Sequence, residues 1–389
     1  MKVLIVVESH WAGAGGGSIY WAELSRWLMR RGHQVNMLAG VPRGTTSGWG
    51  TTVRLVSVRR NLRGRSLPAL LSRLSFAVRA VPSVRAYAEQ WEPDIIHTVP
   101  PVASQAALRA GQATGIPVVA SVLSHVETQW RVLERDRLRA ALFRRLEHWA
   151  IDQPFSRIIC LTQHSRRVLL REGIPVERLV YVPHAIDTKR FGPGALPTVR
   201  VQLRLARDVF AVGYAGALTP DKGVDRLIRA FARLEQHQGL QLLIAGDGPE
   251  RGRLQRLVCK LKLRNVRFLG ALDYQAMPGF MASLDLYVSP SLTETLPTTV
   301  LEALGTGTPV MATGVGGTAG FLQNRLGIVL RDPRVETIAE SIDQWLDCRD
   351  ELRQMGISGQ RHVLLEHSWD KTGPLVEDVY QQCLPTALD

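Results

Sequence analysis

Leu286-Tyr287-Val288-Ser289-Pro290-Ser291-Leu292-Thr293-Glu294-Thr295-Leu296-Pro297-Thr298-Thr299-Val300-Leu301-Glu302-Ala303 is the stretch from which the architecture can be read. Leu286–Ser289 is a short apolar run that reads as a buried strand. Turn residues follow, then a helix-forming stretch with Glu302 two turns inside it. A strand that passes through a loop into a helix is the repeating unit of a parallel α/β sheet. Glu294 in the loop and Glu302 in the helix are eight residues apart. Carboxylates so placed accept hydrogen bonds from sugar and ribose hydroxyls, while the helix start offers amides to a phosphate. Two glutamates at this spacing are common. The same pair framed by Pro-Ser on one side and Leu-Gly-Thr-Gly-Thr-Pro-Val on the other is specific.

The alternation continues outward from this block. In the second half, Phe210–Tyr214, Gln241–Ala245, Val266–Leu269, Pro309–Ala312 and Gly327–Val329 read as strands, with helices over Asp225–Glu235 and Glu250–Leu261. The first half offers strands at Val3–Val7, Gln34–Ala39, Asp94–His97, Pro117–Val122, Arg157–Leu161 and Val180–Val182. It also holds a helix over Ile19–Arg31 that Gly32 closes. Residues 188–208 are rich in Gly and Pro and read as a linker. The expected division is a domain over 1–195 and a second over 196–370.

Composition narrows the class. The 389 residues are 45% hydrophobic and 21% charged, a globular profile too long for one ordinary core. No run approaches the ~18 apolar residues of a membrane span. Met1–Val7 is too short for a secretion signal and meets Glu8 at once, so the expected location is cytoplasmic. Cys160, Cys259, Cys348 and Cys383 have neither CxxC nor metal-ligand spacing, which sets aside a zinc site and a disulfide framework. Residues 1–195 hold 27 Lys and Arg against 13 Asp and Glu, a net of +14; the remainder is 21 against 22. That excess draws anionic surfaces. A nucleic-acid role is set aside, since no binding module or aromatic interleaving accompanies the arginines.

Two further segments bear on chemistry. Trp11-Ala12-Gly13-Ala14-Gly15-Gly16-Gly17-Ser18 lies between a strand and a helix, and is either a backbone cradle for an anion or a plain flexible turn. Gly213-Tyr214-Ala215-Gly216-Ala217-Leu218-Thr219-Pro220-Asp221-Lys222-Gly223-Val224 ends a strand and delivers Lys222 just before a helix. That lysine is either a solvated loop residue or the cation that neutralises a diphosphate leaving group.

These segments together resemble glycosyltransferase family 4, the retaining group with the GT-B fold and an E-x7-E motif. The similarity extends through Arg31-Gly32-His33-Gln34-Val35, Pro93-Asp94-Ile95-Ile96-His97, Gly115-Ile116-Pro117-Val118-Val119 and Val182-Pro183-His184-Ala185-Ile186-Asp187. It continues in Asp221-Lys222-Gly223, Ala245-Gly246-Asp247-Gly248-Pro249 and Gly314-Val315-Gly316-Gly317-Thr318. The resemblance implies two Rossmann-like domains facing across a cleft. It also implies a helix within 371–389, over Lys371–Leu384, that crosses back to the first domain. The expected activity is transfer of a sugar from a nucleotide-sugar donor to an acceptor hydroxyl, with retention and with neither metal nor cofactor. A UDP-sugar is the first expectation and a GDP-sugar the second. By the same resemblance, Lys222 contacts the diphosphate, with Gly16 and Gly17 closing over it. Glu302 holds the ribose and Glu294 addresses the transferred sugar. Leu296, Thr298 and Thr299 belong to the donor site, the last two capping phosphate, and Gly246 and Gly248 line the base pocket.

Four departures stand against the pattern. Ala217 replaces an arginine at the phosphates, His184-Ala185 replaces Asn-Gly, and Gly320 replaces a glutamate. Ser121-Val122-Leu123-Ser124-His125 lacks the usual histidine, leaving His125 and His97 as alternative catalytic histidines. The basic stretch Arg59-Arg60-Asn61-Leu62-Arg63-Gly64-Arg65 leads into Leu67, Leu70, Leu71, Leu74 and Phe76, interspersed with Arg73, Arg79 and Arg85. It reads either as an amphipathic helix on an anionic membrane, which suits a lipid-linked acceptor, or as a helix with a solvated basic face. A non-catalytic nucleotide-sugar-binding scaffold is the competing function. An epimerase lacks the E-x7-E block, and a phosphorylase is a much longer chain. No motif specifies the acceptor or the oligomeric state.

Overall fold

In the computed structural model, residues 1–8, 16–41, 52–57, 67–123, 132, 134 and 137–385 are described, with 41, 52–57 and 67–77 given as backbone. The chain divides into two units, one of Met1–His184 with Trp369–Asp389 and the other of Ala185–Ser368.

In the first unit the strands are β1 (Lys2–Val7), β2 (Gln34–Val41), β3 (Thr52–Ser57), β4 (Ile95–Thr98), β5 (Val118–Val122), β6 (Arg157–Cys160) and β7 (Leu179–Tyr181). They form a parallel sheet in the order β3-β2-β1-β4-β5-β6-β7. The second unit has β8 (Phe210–Ala215), β9 (Leu240–Ala245), β10 (Val266–Gly270), β11 (Leu286–Ser289), β12 (Val310–Thr313) and β13 (Ile328–Leu330). Their order is β10-β9-β8-β11-β12-β13, again parallel. Both are Rossmann-like. Helices cover both faces of such a sheet, so its central strands are apolar throughout, and Val3 to Val7 are all buried. In both sheets the strand order reverses beside the first strand, between β1 and β4 and between β8 and β11. Loops diverge there and leave a crevice at the carboxyl ends of the strands.

Two expectations need correction. The sequence reading omitted β3, whose Thr52-Val53-Arg54-Leu55-Val56-Ser57 mixes polar and apolar residues at the sheet edge. The division falls after His184 rather than after residue 195. Ile186 and Phe191 are fully buried in the core of the second unit with Val300, Leu301 and Leu304. The Ile186 amide also donates to the His367 carbonyl at 2.9 Å. The Gly-Pro composition marks the irregular path of residues 192–197, but their apolar neighbours already belong to the second core.

The final helix runs over Trp369–Gln381 and packs on the helix Gly16–Arg30 of the first unit. Gly373 permits this packing: a Cβ there would lie 2.3 Å from Cε2 of Trp27. Polar contacts fix the register. Trp369 Nε1 donates to Glu23 Oε2 at 2.7 Å in the buried interface, and the His33 ring meets Glu377 Oε1 at 2.9 Å. Replacing Trp369 by Phe removes the donor and part of the buried indole, a loss of at least about 1–3 kcal/mol. Thermal unfolding of Trp369→Phe is therefore expected to begin several degrees lower for the first unit; an unchanged melting curve would show that this hydrogen bond does not hold the helix.

Candidate active site

The loops after β8 and β11 leave adjacent strands at the reversal point of the second sheet. After β8 the chain makes a short turn over Pro220–Lys222 and reaches Gly223 at φ 66°. A Cβ on Gly223 would lie 2.2 Å from the Pro290 carbonyl oxygen, so this approach requires glycine. The Leu292 amide then donates to the Asp221 carbonyl at 2.7 Å, tying the two loops main chain to main chain.

That contact sets the side chains. Lys222 Nζ donates to Glu294 Oε1 and lies 3.8 Å from Asp221 Oδ2. Ser291 Oγ donates to the same Glu294 oxygen at 3.2 Å. Lys222, Glu294 and Asp221 are all substantially buried, with side chains 24%, 17% and 13% exposed. The Glu294 backbone is held from the far side by Gly316, where a Cβ would meet the Glu294 carbonyl oxygen at 1.7 Å, while the Gly317 amide donates to the Thr295 carbonyl at 2.6 Å. Pro297, extended at ψ 129°, leads into the helix Thr298–Gly305, which no N-cap side chain closes. Thr298 and Thr299 form its first turn. Glu302 lies one turn deeper and is buried, and Leu296 belongs to the apolar core that also holds Val300 and Leu301.

Two tyrosines outside the candidate set, Tyr214 on β8 and Tyr287 on β11, brace these loops. Tyr287 OH donates to the Ala215 carbonyl at 3.1 Å and lies 2.7 Å from Thr299 Oγ1, joining the end of β8 to the helix start. Burial pushes its phenol up, and the carboxylates of Glu302 and Glu294 push the same way. Tyr214 OH donates to the Ala217 carbonyl at 3.0 Å, and burial raises it too, with help from Tyr287, Glu294 and Asp221. A tyrosine inside an otherwise aliphatic strand is the signal that would have found them, because a buried hydroxyl needs a partner.

Gly246 and Gly248 follow β9. Their absent Cβ atoms would fall 1.9 Å from the Gly216 oxygen and 2.5 Å from the Leu218 oxygen, so close passage of the β8 and β9 loops accounts for both glycines. At Gly320 a Cβ would meet open space, so the missing carboxylate there has no steric cause. His184 is buried in the first unit, edge-on to Tyr20 with centroids 5.7 Å apart.

Gly16 and Gly17 open the helix Gly16–Arg30 of the first unit, and the other donor-site candidates belong to the second. His125 and Arg59–Arg65 lie outside the described residues. Of the helix those arginines lead into, Arg85 Nε pairs with Glu89 at 2.7 Å on the surface. His97, the other histidine candidate, is fully enclosed. Nδ1 meets Tyr380 OH at 2.6 Å, Nε2 meets Ser121 Oγ at 2.8 Å, and the ring stands edge-on to Trp21 at 4.8 Å. Burial lowers its pKa from 6.5 to about 3. A neutral ring with both nitrogens engaged serves packing and pins the final helix through Tyr380.

Residues 14–190 match the family described as Glycosyltransferase Family 4, and residues 197–362 the family described as Glycosyl transferases group 1. The chain is 32% identical over 213 residues to a GDP-mannose-dependent monoacylated alpha-(1-6)-phosphatidylinositol monomannoside mannosyltransferase of Corynebacterium glutamicum. That match takes in 52% of this chain and spans about half the length of that relative, 55%. A GDP-mannose-dependent alpha-mannosyltransferase of Mycolicibacterium smegmatis is 29% identical over 395 residues, covering 97% of this chain and 95% of that one. Among solved structures, a sucrose-phosphate synthase from Thermosynechococcus elongatus superimposes with a TM-score of 0.83 at 22% identity, over 98% of this chain and 99% of that one. This likeness shows the fold, which is GT-B.

The enclosure of His97 has a signature in solution. Between pH 6.5 and about 3 the unfolded chain protonates this histidine and the folded chain does not. Stability is therefore retained above pH 6.5 and falls as pH drops toward 3, by on the order of several kcal/mol. Denaturation measured across this range should show a shallower acid slope in His97→Leu than in wild type; equal slopes would mean that the ring titrates in the folded protein.

Proposed function

We propose the reaction of this site from one premise: the chain belongs to the glycosyltransferases of family 4. Its activity is transfer of a hexosyl group from a nucleotide-sugar donor to an acceptor hydroxyl. The observation that carries this reading is the Lys222–Glu294 pair above the uncapped start of the helix Thr298–Gly305, with Glu302 buried one turn below.

Each group has a part in that reaction. Donor binding exchanges one partner for another: the ammonium of Lys222 moves from the Glu294 carboxylate to the diphosphate, and Glu294 turns to the sugar hydroxyls. The amides of Thr298 and Thr299 and the positive end of their helix take phosphate oxygens. Glu302 accepts from the ribose hydroxyls, which fixes the nucleoside. As the bond from the anomeric carbon to the diphosphate oxygen breaks, negative charge grows on the leaving group beside Lys222, where a preorganised cation acts most strongly. The acceptor oxygen bonds to the same face of that carbon and its proton passes to the departing phosphate, so the configuration is retained. With Ala217 where the family has an arginine, Lys222 carries the charge compensation, and the reading needs no metal.

The two mannosyltransferase relatives are described as GDP-mannose-dependent. Their similarity favours GDP-mannose as the donor, with a UDP-hexose second. The acceptor in this reading is a hydroxyl of a lipid-linked or glycan molecule.

Binding and slow hydrolysis of UDP-, GDP-, ADP- and TDP-sugars by wild type, Lys222→Ala and Glu302→Gln test the proposal. One donor class is expected to bind selectively. Lys222→Ala should lower turnover by about 10²–10³-fold, as removal of one charge-stabilising donor does elsewhere. Glu302→Gln should weaken donor binding by about 10-fold or more. EDTA should leave turnover unchanged. If no nucleotide sugar binds, or if the variants behave as wild type, the reading fails.

A further inference from the structure

The helix Arg137–Ile151, with sequence Arg-Leu-Arg-Ala-Ala-Leu-Phe-Arg-Arg-Leu-Glu-His-Trp-Ala-Ile, belongs to the first unit and has two apolar faces where a surface helix ordinarily has one. Ala140, Ala150 and Ile151 are buried against the unit, and Glu147, the helix's one acidic residue, is buried with them. Leu138, Leu142, Leu146 and Trp149 point the other way and are 83%, 55%, 48% and 54% exposed. Steps of four, four and three residues place these side chains on a single stripe. At 3.6 residues per turn the stripe spans an arc of about 80°, with Arg145 about 20° beyond one edge and Arg139 about 20° beyond the other. Arg137 and Arg144 are exposed on the same helix.

Isolated surface leucines need no explanation, but four large apolar side chains aligned on one outward stripe mark a contact surface. We propose that this outward face docks on an anionic lipid bilayer. Leucines and a tryptophan between flanking arginines match the layering of a membrane surface. The apolar side chains enter the acyl boundary, the indole lies at the headgroup level, and the guanidinium groups reach back to the lipid phosphates.

Charge decides between a bilayer and a second copy of this chain. A copy laid stripe on stripe would bring Arg139 and Arg145 against the same arginines of its partner. It would also oppose two sequence halves that each have an excess of 14 positive charges over residues 1–195. An anionic bilayer turns the arginines that border the stripe into attraction, at about 1 kcal/mol for each basic residue near the surface. No helix of the described residues is long and apolar enough to cross a membrane, so the contact is peripheral. This face is distinct from the basic stretch at 59–85 that composition singles out. It also stands independently of the transfer reaction, since it concerns where the protein works and not what it moves.

The full chain is floated with vesicles of phosphatidylcholine and with vesicles of phosphatidylcholine mixed with phosphatidylglycerol, at low and at raised salt. Wild type should float with the anionic vesicles only, and less at raised salt. Leu142→Ser combined with Trp149→Ser, and separately Arg145→Glu, should each lower the bound fraction by at least about tenfold. All three positions are exposed, so both variants should keep the wild-type melting curve and donor binding; that combination assigns the loss to the surface. The proposal is overturned if wild type stays with the unbound protein, or if both variants float as wild type does. It is equally overturned if lipid-free sedimentation shows a dimer that the Leu142→Ser, Trp149→Ser variant dissociates. Failure of every nucleotide sugar to bind, with flotation intact, would remove the transferase reading alone.

Discussion

The contact of Gly223 with the Pro290 carbonyl is the constraint from which the site of the second unit follows. Two loops leaving neighbouring parallel strands ordinarily diverge. Here they are held at main-chain distance, because one residue has no Cβ and because the Leu292 amide finds the Asp221 carbonyl. Once the loops are locked, Lys222 and Glu294 have little choice of partner, and Glu294 is gripped in turn by Ser291 and by the backbone at Gly316. The sheet supplies the position and the glycine supplies the proximity. The chemistry is left to side chains that need only short reach.

In the proposed reaction the pair has two uses. A salt bridge this far from solvent adds little net stability, because each charge gives up part of its hydration to make it. Removing either partner alone would strand the other. In the proposed reaction both partners are exchanged at once, carboxylate for diphosphate and ammonium for hydroxyl donors, so that Lys222 keeps an anionic partner and Glu294 keeps its hydrogen bonds. The buried Tyr287 contributes rigidity beneath it, because its hydroxyl joins Ala215 to Thr299.

The parallel sheets were legible in the sequence because a strand covered on both faces is a continuous apolar run. That signature picks out Val3–Val7 and Leu286–Ser289 at a glance. β3 has it only in part and escaped notice. The placement of Lys222, Glu294 and Glu302 is legible from their strand-loop-helix segments, and the structure brings the first two together. Tyr214 and Tyr287 carry only a partial signal, because a tyrosine in a buried strand announces a hydroxyl that needs a partner but not which partner it finds. His97 stood as a catalytic candidate for a related reason: the residue that encloses it, Tyr380, is 283 positions away in the chain. Local pattern reports which element a residue belongs to and says nothing of what distant segment covers it.

The distance between His97 and Tyr380 has a meaning for how the molecule is made. The first unit is interrupted: its last helix is translated only after the whole of the second unit. Until Trp369 and Tyr380 emerge from the ribosome, Glu23 lacks the indole that meets it and His97 lacks the phenol on its Nδ1. The surface destined to bury them is open to solvent and to chaperones. The second unit, continuous from Ala185 to Ser368, has every residue of its own sheet available before that point. Synthesis therefore favours completing the later unit first and closing the earlier one last, so that the final helix acts as the stopper of a vessel filled long before.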